Sequence, residues 1–399
     1  MPAVGRSTPS DAAAWERFEA LAAEAAGCIS VERSRLGRPE AWSGPLRAPA
    51  ELTAARFDRE LDRRWRRTSF TDITSAAYDA RVASEPEEAL LADEPEAPVR
   101  PPAAGDPTLS AEGTLFAAEA APSGEAALRD VVSLLADMPV GASVGTFVHR
   151  VLEATDFAAP DLDAELAGRV AEVRARRAGD VGEAATVVAG LRAAIETPLG
   201  DGLRLRDLGR ADRLDELDFE FPLVGGDEPT GRLALDAIAA VLREHLPPGD
   251  PLAGYADRLG DPALRQAVRG YVTGSIDLVA RAGGRFTVID YKTNWLAALG
   301  EDLTAWHHRP AALAAEMERG HYGLQALLYL VALHRYLRWR LPGYDPAEHL
   351  GGVKYLFVRG MVGADTPVVD GTPRGVFAWH PPAALVTALS DALDVGVAA

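Results

Sequence analysis

The chain has 399 residues, 48% of them hydrophobic, which is enough for one large domain or two to three ordinary ones with a sizeable core. Its only cysteine, Cys28, excludes an internal disulfide, and there is neither a secretory signal pattern nor an apolar run of membrane length, so we expect a cytoplasmic protein with no membrane partner. The formal net charge of −18 argues against a uniformly basic surface for nucleic acid, but this charge averages over segments that can have different roles.

Residues 1–78 are predicted to form a small helical segment. Helical periodicity is present at 12–26 and again at 51–67, and a Gly/Pro-rich stretch at 37–49 separates the two. The second helix ends in the basic sequence RRWRRTSF at 63–70, which is typical of a helix end that runs into an extended piece. Two interpretations stay open for these arginines, a solvated helix terminus and a contact with phosphate.

Residues 79–125 have the composition of an acidic, flexible linker. Eleven acidic residues stand against two arginines, Arg81 and Arg100, among many alanines and prolines and few large apolar groups. Such a segment does not bury enough apolar surface to offset the entropy of ordering. As a flexible chain it would span roughly 40 Å, which allows the flanking parts to shift relative to one another.

A third domain is predicted at 126–399, and its first motif is a helix that carries His149 and Glu153. These two residues are four apart and share one helix face, next to the apolar residues Phe147, Val148, Val151 and Leu152. A histidine on such a helix is more often structural than a metal ligand. Glu153 is equally explained as a helix cap or an ion-pair partner.

The region that follows is predicted to contain helices, one strand and a helical insertion. Helical patterns occupy 161–200, and the strand is Leu214–Val224. Acidic residues alternate along this strand, and Glu220 either reaches a neighbouring site or is solvated. Residues 231–270 are predicted to be helical and are broken by Leu246-Pro-Pro-Gly249.

Residues 274–295 are predicted to form a β-hairpin, and the candidate site is built on it. Ser275–Ala280 and Arg285–Tyr291 are rich in β-branched and aromatic residues, and Gly283-Gly284 is a two-residue loop that tolerates positive φ. The apolar content of both faces predicts central strands that are covered on each side. The loop sets a register in which these residues oppose each other on one face: Val279 and Val288, Asp277 and Asp290, Ser275 and Lys292.

The opposition of Asp277 and Asp290 is unfavourable without a cation. Directly opposed residues have Cβ atoms about 4.5–5.5 Å apart. Two ionised carboxylates there repel by roughly 3 kcal/mol at an effective dielectric of about 20. A divalent cation between them removes this cost, and hard oxygen ligands suit Mg²⁺. The alternative is an exposed hairpin whose polar face happens to carry Asp, Asp and Lys.

The lysine at 292 supports the catalytic interpretation. Only two of the 41 basic residues are lysines, Lys292 and Lys354, so the chain uses arginine almost wherever a cation is needed. Arginine stays protonated and spreads its charge, whereas lysine is a compact charge that orients or deprotonates a water. Lys354 needs no such role and shows that the bias also breaks by chance.

A long helix and a strand complete the predicted core. The helix is Tyr322–Arg340, where Tyr322, Gln325 and Tyr329 share one face, and the strand lies at 351–360. The preceding loop contains His307 and His308, but zinc spacing and companion cysteines are absent from it.

The motifs together resemble a known family. Gly274-Ser-Ile-Asp277 followed by Asp290-Tyr-Lys292-Thr-Asn-Trp295 is similar to the metal-binding core of the PD-(D/E)xK nucleases, and specifically of the C-terminal nuclease domains of the RecB family. The proline of the family name is absent, and Ile276 stands before the first aspartate. The resemblance runs from about Leu128 to Ala399, with four motifs in family order.

The resemblance implies a fold and a set of site residues. The fold would be α/β, a restriction-endonuclease-like mixed central sheet flanked by helices, with the helical insertion before the hairpin. His149 would be a metal ligand with Asp277 and Asp290, and the backbone carbonyl of Tyr291 would add another. The site would hold one Mg²⁺, or two. Gln325 and Tyr329 match the QxxxY motif that lines the active-site channel, and Lys292 would orient the attacking water.

The function implied is Mg²⁺-dependent hydrolysis of DNA by an exonuclease of the RecBCD type, which acts in double-strand break repair and recombination. No GxxxxGK[ST] phosphate loop is present, so the chain has no ATP motor of its own. We therefore expect it to be the C-terminal piece of a longer polypeptide with a helicase upstream, and to have DNA and RecC-like and RecD-like subunits as partners. Two alternatives are a nuclease-like module that binds DNA or a partner without cutting, and a purely structural accessory of a helicase complex.

Overall fold

The computed structural model of the chain describes residues 10–25, 27–34, 37, 65–70, 73, 127–176, 179–223, 233–260, 267–298, 300–369 and 371–395. The chain divides into two compact units, Met1–Glu60 and Leu61–Ala399. In the first unit, helix α1 (Asp11–Glu24) is capped at its N-terminus by Ser10, whose side chain accepts a hydrogen bond from the backbone N–H of Ala13.

The second unit combines helices and a mixed sheet. The α-helices among its described residues are α2 (Ala142–Ala154), α3 (Leu162–Arg176), α4 (Ala184–Glu196), α5 (Leu235–His245), α6 (Tyr255–Arg258), α7 (Pro310–Arg319), α8 (Tyr322–Arg340), α9 (Pro346–His349) and α10 (Ala383–Val395). Its strands are β1 (Trp65–Thr68), β2 (Arg213–Pro222), β3 (Leu233–Ala234), β4 (Ala267–Ala282), β5 (Arg285–Lys292), β6 (Leu350–Phe357), β7 (Val368–Val369), β8 (Thr372–Pro373) and β9 (Val376–Trp379).

The main sheet has seven strands and confirms the predicted fold class. Its order is β1-β4-β5-β6-β9, and β2 and β3 also pair with β4. The pairs β1–β4 and β5–β6 are parallel, whereas β4–β5, β2–β4 and β6–β9 are antiparallel. One hydrophobic core, with α5, α8 and α10, covers one face, and a second core, with α2, α3 and α4, covers the other. Central strands covered on both faces were expected from the apolar hairpin.

The hairpin has the predicted turn. Gly283 and Gly284 have φ values of 56° and 80°, which side chains other than glycine rarely adopt. The register begins with Ala282 opposite Arg285 and continues to Val279 opposite Val288, as predicted. The paired positions of β4 and β5 end at Leu278 and Ile289. The hairpin therefore opens at the point where the sequence places the two aspartates opposite each other.

Beyond that point a different strand occupies the same edge of β4. Residues 271 and 272 pair with β2 on one edge and with β1 on the other, and residues 278–280 pair with β2 and β5. A strand has two edges. Since β2 pairs along one edge of β4, β1 and β5 share the other. Residues 273–277 lie between these two partners, and we call this interval the split. The alternation of side chains between the two faces of the sheet also changes here. Ile276 and Leu278 are two residues apart and would share a face in a regular strand, but they belong to different cores.

Strand β1 overlaps the end of the helix predicted at 51–67 and agrees with the extended piece predicted within the basic sequence at 63–70. The structure has an extended strand at Trp65–Thr68, and Thr68, Phe70 and Ile73 are buried beside the second unit's core. Residues 65–68 are extended because the edge of β4 offers backbone hydrogen bonds to a strand, and a helix cannot form them. The second predicted helix, at 51–67, lies outside the described residues up to position 64, and the predicted linker at 79–125 lies outside them entirely.

The predicted insertion at 231–270 contains α5 and α6, and its last residues already belong to β4. Within the described part of the chain, no helix combines the length and the apolar character that crossing a membrane requires.

Candidate active site

Asp277 lies at the split and is 6% exposed. Its Oδ2 accepts a hydrogen bond of 2.8 Å from the backbone N–H of Tyr291. A side chain thus takes the place of the backbone partner at the point where β5 leaves β4. Burial alone would raise the pKa of Asp277, but the charge of His149 and the hydrogen bonds from His149 and Tyr291 lower it.

Helix α2 brings His149 to the same place. The buried face of α2 packs against the sheet, and His149 stands beside that face with its side chain 12% exposed. Its Nδ1 lies 3.4 Å from Oδ1 of Asp277, and its Nε2 lies 2.9 Å from the carbonyl oxygen of Tyr291. Burial alone would lower the pKa of His149, but Asp277, and to a smaller extent Asp290, raise it to about 9. Without a metal, the imidazole is therefore protonated at neutral pH.

Glu216 belongs to this group, although the sequence analysis did not identify it. In strand β2, Asp215 pairs with Leu278 and Leu217 pairs with Ile276, so Glu216 lies across from Asp277. Glu216 has a φ of 48°, in the left-handed region. The Ser275 hydroxyl donates to its carboxylate at 3.1 Å.

Among the described residues, Glu216, His149 and Asp277 form a cluster that could hold a metal ion. One ligand atom from each lies within 4.8 Å of the others. Burial, and next the charge of Asp277, raise the pKa of Glu216 to about 7. Glu220, the acidic residue of the same strand that the sequence singled out, is instead in an ion pair of 2.9 Å with Arg67, and both side chains are exposed.

Asp290 is fully buried and pairs with Lys292. Oδ2 of Asp290 lies 3.0 Å from Nζ of Lys292, and the side chains are 0% and 1% exposed. Nζ also donates to Oε1 of Gln325 at 3.2 Å. Asp290 therefore does not face Asp277 in a strand ladder, and its negative charge is offset by a lysine two residues along.

Gln325 and Tyr329 stand on the face of α8 that meets this lysine. Nε2 of Gln325 donates to the Tyr329 hydroxyl at 3.1 Å, and the two side chains are 0% and 3% exposed. The resemblance assigns both to a channel for the DNA strand, and in the structure Gln325 contacts Lys292 while Tyr329 contacts Gln325. Glu153 forms an ion pair of 2.9 Å with Arg150, and its charge is among the smaller causes that raise the pKa of Glu216.

The donor set fits a hard divalent cation. Two carboxylates and an imidazole converge, and the Tyr291 carbonyl oxygen, which contacts His149, adds a neutral oxygen. Asp290 is close enough for its charge to raise the pKa of His149. Oxygen-rich sets with one imidazole suit Mg²⁺ or Mn²⁺ rather than a structural zinc, which takes thiolates.

The raised pKa of Glu216 predicts how stability changes with pH in the metal-free protein. A carboxyl group whose pKa rises on folding favours the folded state while it is protonated, and this contribution is lost between about pH 4.5 and 7. We expect Glu216→Gln to raise the melting temperature in EDTA at pH 8 by about 2 °C or more, and the gain to disappear near pH 5. Thermal melts of parent and variant across this range measure it.

The matched control for that melt is Glu220→Gln, the same substitution on the same strand in an exposed ion pair. It should give no gain at pH 8, because no buried carboxylate faces Glu220 there. A lower melting temperature for Glu216→Gln than for the parent at pH 8 would show that the Glu216 carboxylate is stabilising in the absence of metal.

Comparison with known proteins gives one family. The PD-(D/E)XK nuclease superfamily matches residues 125–371. The RecBCD enzyme subunit RecB of Mycolicibacterium smegmatis is 47% identical over 393 residues, which are 96% of this chain and 34% of that protein. RecB of Mycobacterium tuberculosis H37Rv is 45% identical over 98% of this chain and 34% of its own length, and RecB of Escherichia coli K12 is 31% identical over 92% and 26%. The chain thus spans about a third or less of these relatives.

Proposed function

Because this chain belongs to the PD-(D/E)XK nuclease superfamily, we propose that its second unit hydrolyses phosphodiester bonds of DNA in a reaction that depends on a divalent metal. The observation that carries the proposal is the convergence of His149, Glu216 and Asp277 beside the buried Asp290–Lys292 pair. The comparison confirms the resemblance to the RecB family on which the same expectation was based.

The wider role follows from the relatives. Curated proteins that contain this region are RecB subunits of RecBCD enzymes. We therefore propose that the chain acts as the exonuclease part of a RecBCD-type helicase–nuclease in double-strand break repair and recombination. Its partners would be DNA ends or single strands, an upstream helicase region, and RecC-like and RecD-like subunits.

The residues that would hold Mg²⁺ are His149, Glu216, Asp277, Asp290 and the Tyr291 carbonyl. When bound, the ion would polarise the scissile phosphate and lower the pKa of a water at the site. His149 must first lose a proton, since its pKa of about 9 keeps both ring nitrogens protonated at neutral pH. The Asp277 and Glu216 carboxylates, which repel each other without metal, then face a cation.

Lys292 would act on the nucleophile and on the charge that develops. Its ammonium is held between Asp290 and Gln325 and the residue is 2% exposed, so its position is defined before DNA binds. A compact donor at a fixed position orients the attacking water and offsets negative charge on the phosphate in the transition state. Removal of water from its surroundings strengthens that interaction.

Cleavage of linear DNA tests the function. We expect the chain to shorten linear duplex or single-stranded DNA in Mg²⁺ and to be inactive in EDTA. Binding of the same DNA without any cleavage in Mg²⁺ or Mn²⁺ would indicate a nuclease-like module that has lost activity. Absence of both binding and cleavage by a folded protein would favour the structural-accessory alternative.

Metal binding should release a proton from His149. With a pKa of about 9 in the metal-free protein, one proton must leave when Mg²⁺ takes the imidazole, so apparent affinity should rise about tenfold or more from pH 7 to 9. Calorimetric titrations with Mg²⁺ at pH 8, in two buffers of different ionisation enthalpy, give the number of protons released.

His149→Gln should release about one proton fewer and bind Mg²⁺ more weakly. His380→Gln is the control, since His380 is half exposed and contacts Asp201 rather than the site. Unchanged proton release in His149→Gln would mean that His149 is a core residue and not a ligand.

A further inference from the structure

Two tyrosine rings lie next to the ammonium of Lys292. Nζ lies 4.2 Å from the ring centroid of Tyr322 and 5.4 Å from that of Tyr355. The two rings are 6.0 Å apart and 16° from parallel. A desolvated cation over aromatic faces is stabilised by the negative charge of those faces. The lysine is therefore held by the rings as well as by Asp290 and Gln325.

Tyr355 is linked to the lysine a second time, through Gln325. Tyr355 is 0% exposed on β6, in the register position beside Asp290. Its hydroxyl donates to Oε1 of Gln325 at 3.0 Å, and the same oxygen accepts from Lys292. The hydroxyl also lies 3.3 Å from the backbone oxygen of Tyr322, at the start of α8.

These contacts give the Gln325 amide a single orientation. Its oxygen faces two donors, Lys292 and Tyr355, while its nitrogen donates to Tyr329. An amide turned by 180° would place its NH₂ group against the Lys292 ammonium, which only donates, and the Tyr355 hydroxyl would lose its acceptor on Gln325. The Tyr355 hydroxyl therefore favours the orientation in which an acceptor is directed at the lysine.

We propose that Tyr355 is a positioning residue for the cleavage reaction, which acts on Lys292 through Gln325 and through its own ring. Lysine has a flexible four-carbon stem, and with Asp290 as its only acceptor the ammonium would bind to that carboxylate alone. A second acceptor of fixed orientation and two ring faces hold Nζ in one place. The proposal rests on the proposed nuclease function and names a residue outside the charged motifs.

Single-turnover cleavage of linear DNA separates positioning from folding. Tyr355→Phe keeps the ring and removes the hydroxyl, so we expect the cleavage rate constant to fall about 5- to 10-fold at saturating Mg²⁺. Tyr355→Leu also removes the ring, and the fall should reach about 50-fold or more. The Mg²⁺ concentration for half-maximal rate should stay unchanged in Tyr355→Phe, because tyrosine is not a ligand.

Tyr344→Phe is the matched control. The Tyr344 hydroxyl contacts Nδ1 of His334 at 2.9 Å, near the far end of α8, so this variant loses one tyrosine hydrogen bond outside the site. We expect it to cleave at the parental rate. A parental rate for Tyr355→Phe, or an equal loss in both phenylalanine variants, would overturn the proposal.

A second readout does not depend on activity. Since Lys292 and Lys354 are the chain's two lysines, lysine labelled with ¹³C at Cε gives two sets of methylene signals in the metal-free protein. Ring currents should shift the Lys292 protons upfield of those of Lys354, which contacts Leu199 and Asp201 instead. Tyr355→Leu and Tyr322→Leu should each move the Lys292 signal downfield and leave that of Lys354 in place.

The outcomes distinguish the positioning role of Tyr355 from the proposed nuclease function on which it rests. A parent protein that does not cut DNA in Mg²⁺ or Mn²⁺ overturns the nuclease function, and the positioning role falls with it. A parent that cuts, together with a Lys292 signal that does not respond to loss of either ring, overturns the positioning role alone.

Discussion

Asp290→Asn should lower Mg²⁺-dependent DNA cleavage by at least about 1,000-fold, which corresponds to about 4 kcal/mol of lost transition-state stabilisation. The carboxylate is fully buried, lies 3.0 Å from Lys292 and influences the charge of His149, so it acts on both the metal ligands and the lysine. Asparagine keeps the shape and an oxygen acceptor for Lys292, but it removes the negative charge that a divalent cation needs.

Asparagine is a better test than alanine because of what the structure shows about stability. From sequence alone, loss of one of two opposed carboxylates should leave the fold intact or slightly improved. In the structure Asp290 is instead the counter-ion of a buried lysine. Removal of one partner of a buried ion pair costs roughly 3–5 kcal/mol, so Asp290→Ala should be clearly destabilised without metal.

Single-turnover cleavage and a thermal melt on the same preparation measure this prediction. Asp212→Asn is the control, since Asp212 forms an exposed ion pair with Arg281, and it should retain parental cleavage. Cleavage by Asp290→Asn within a few-fold of the parent would remove Asp290 from the metal site and from the reaction.

Lys292→Arg should lower the cleavage rate by about 100-fold or more, although the charge is kept, because a preorganised donor directed at developing charge contributes at least that much. The ammonium contacts Asp290 and Gln325 and lies 4.2 Å from the centre of the Tyr322 ring, and the side chain is 1% exposed. A planar guanidinium needs more room and spreads its donors over a fork. It therefore cannot place one compact donor where Nζ lies now.

The affinity for Mg²⁺ should change little in this variant, because lysine is not a ligand. Lys354→Arg is a control that the chain itself supplies: Lys354 is also buried and bonds to the Leu199 carbonyl and to Asp201. It should lose thermal stability and keep parental cleavage. If Lys292→Arg cuts at a near-parental rate, Lys292 supplies only positive charge for the phosphate.

The hairpin shows what sequence is able to predict here. A two-glycine loop has few conformations, so counting outward from Gly283 and Gly284 gave the correct partners as far as Leu278 and Ile289. The long helix Tyr322–Arg340 was also predicted correctly from its strong periodicity, and the mixed α/β fold was predicted correctly from the family resemblance. The hairpin turn and the long helix are features set by local chain geometry.

The features that sequence missed, the surroundings of Asp277 and the presence of Glu216, depend on contacts far along the chain. Asp277 leaves the predicted ladder because its carboxylate takes the Tyr291 N–H where β5 separates from β4. Glu216 lies on β2, which pairs with β4, and more than 50 residues of sequence separate the positions that pair on either side of Glu216. Alternation along β2 pointed to Glu220, but the left-handed backbone at Glu216 changes which carboxylate faces the site. One signal was present, a run of acidic residues in a strand that was otherwise apolar.

Anyone who prepares the C-terminal part as a separate protein should begin the fragment at Leu61 rather than at residue 126. The composition change at 126 suggests a natural starting point, but β1 pairs with Arg269–Val272, and Phe70 and Ile73 fill the core beneath. A fragment without them would present an open strand edge and an apolar gap, which favour association between molecules. Light scattering should therefore show a monomer for the longer fragment and growing aggregates for the shorter one.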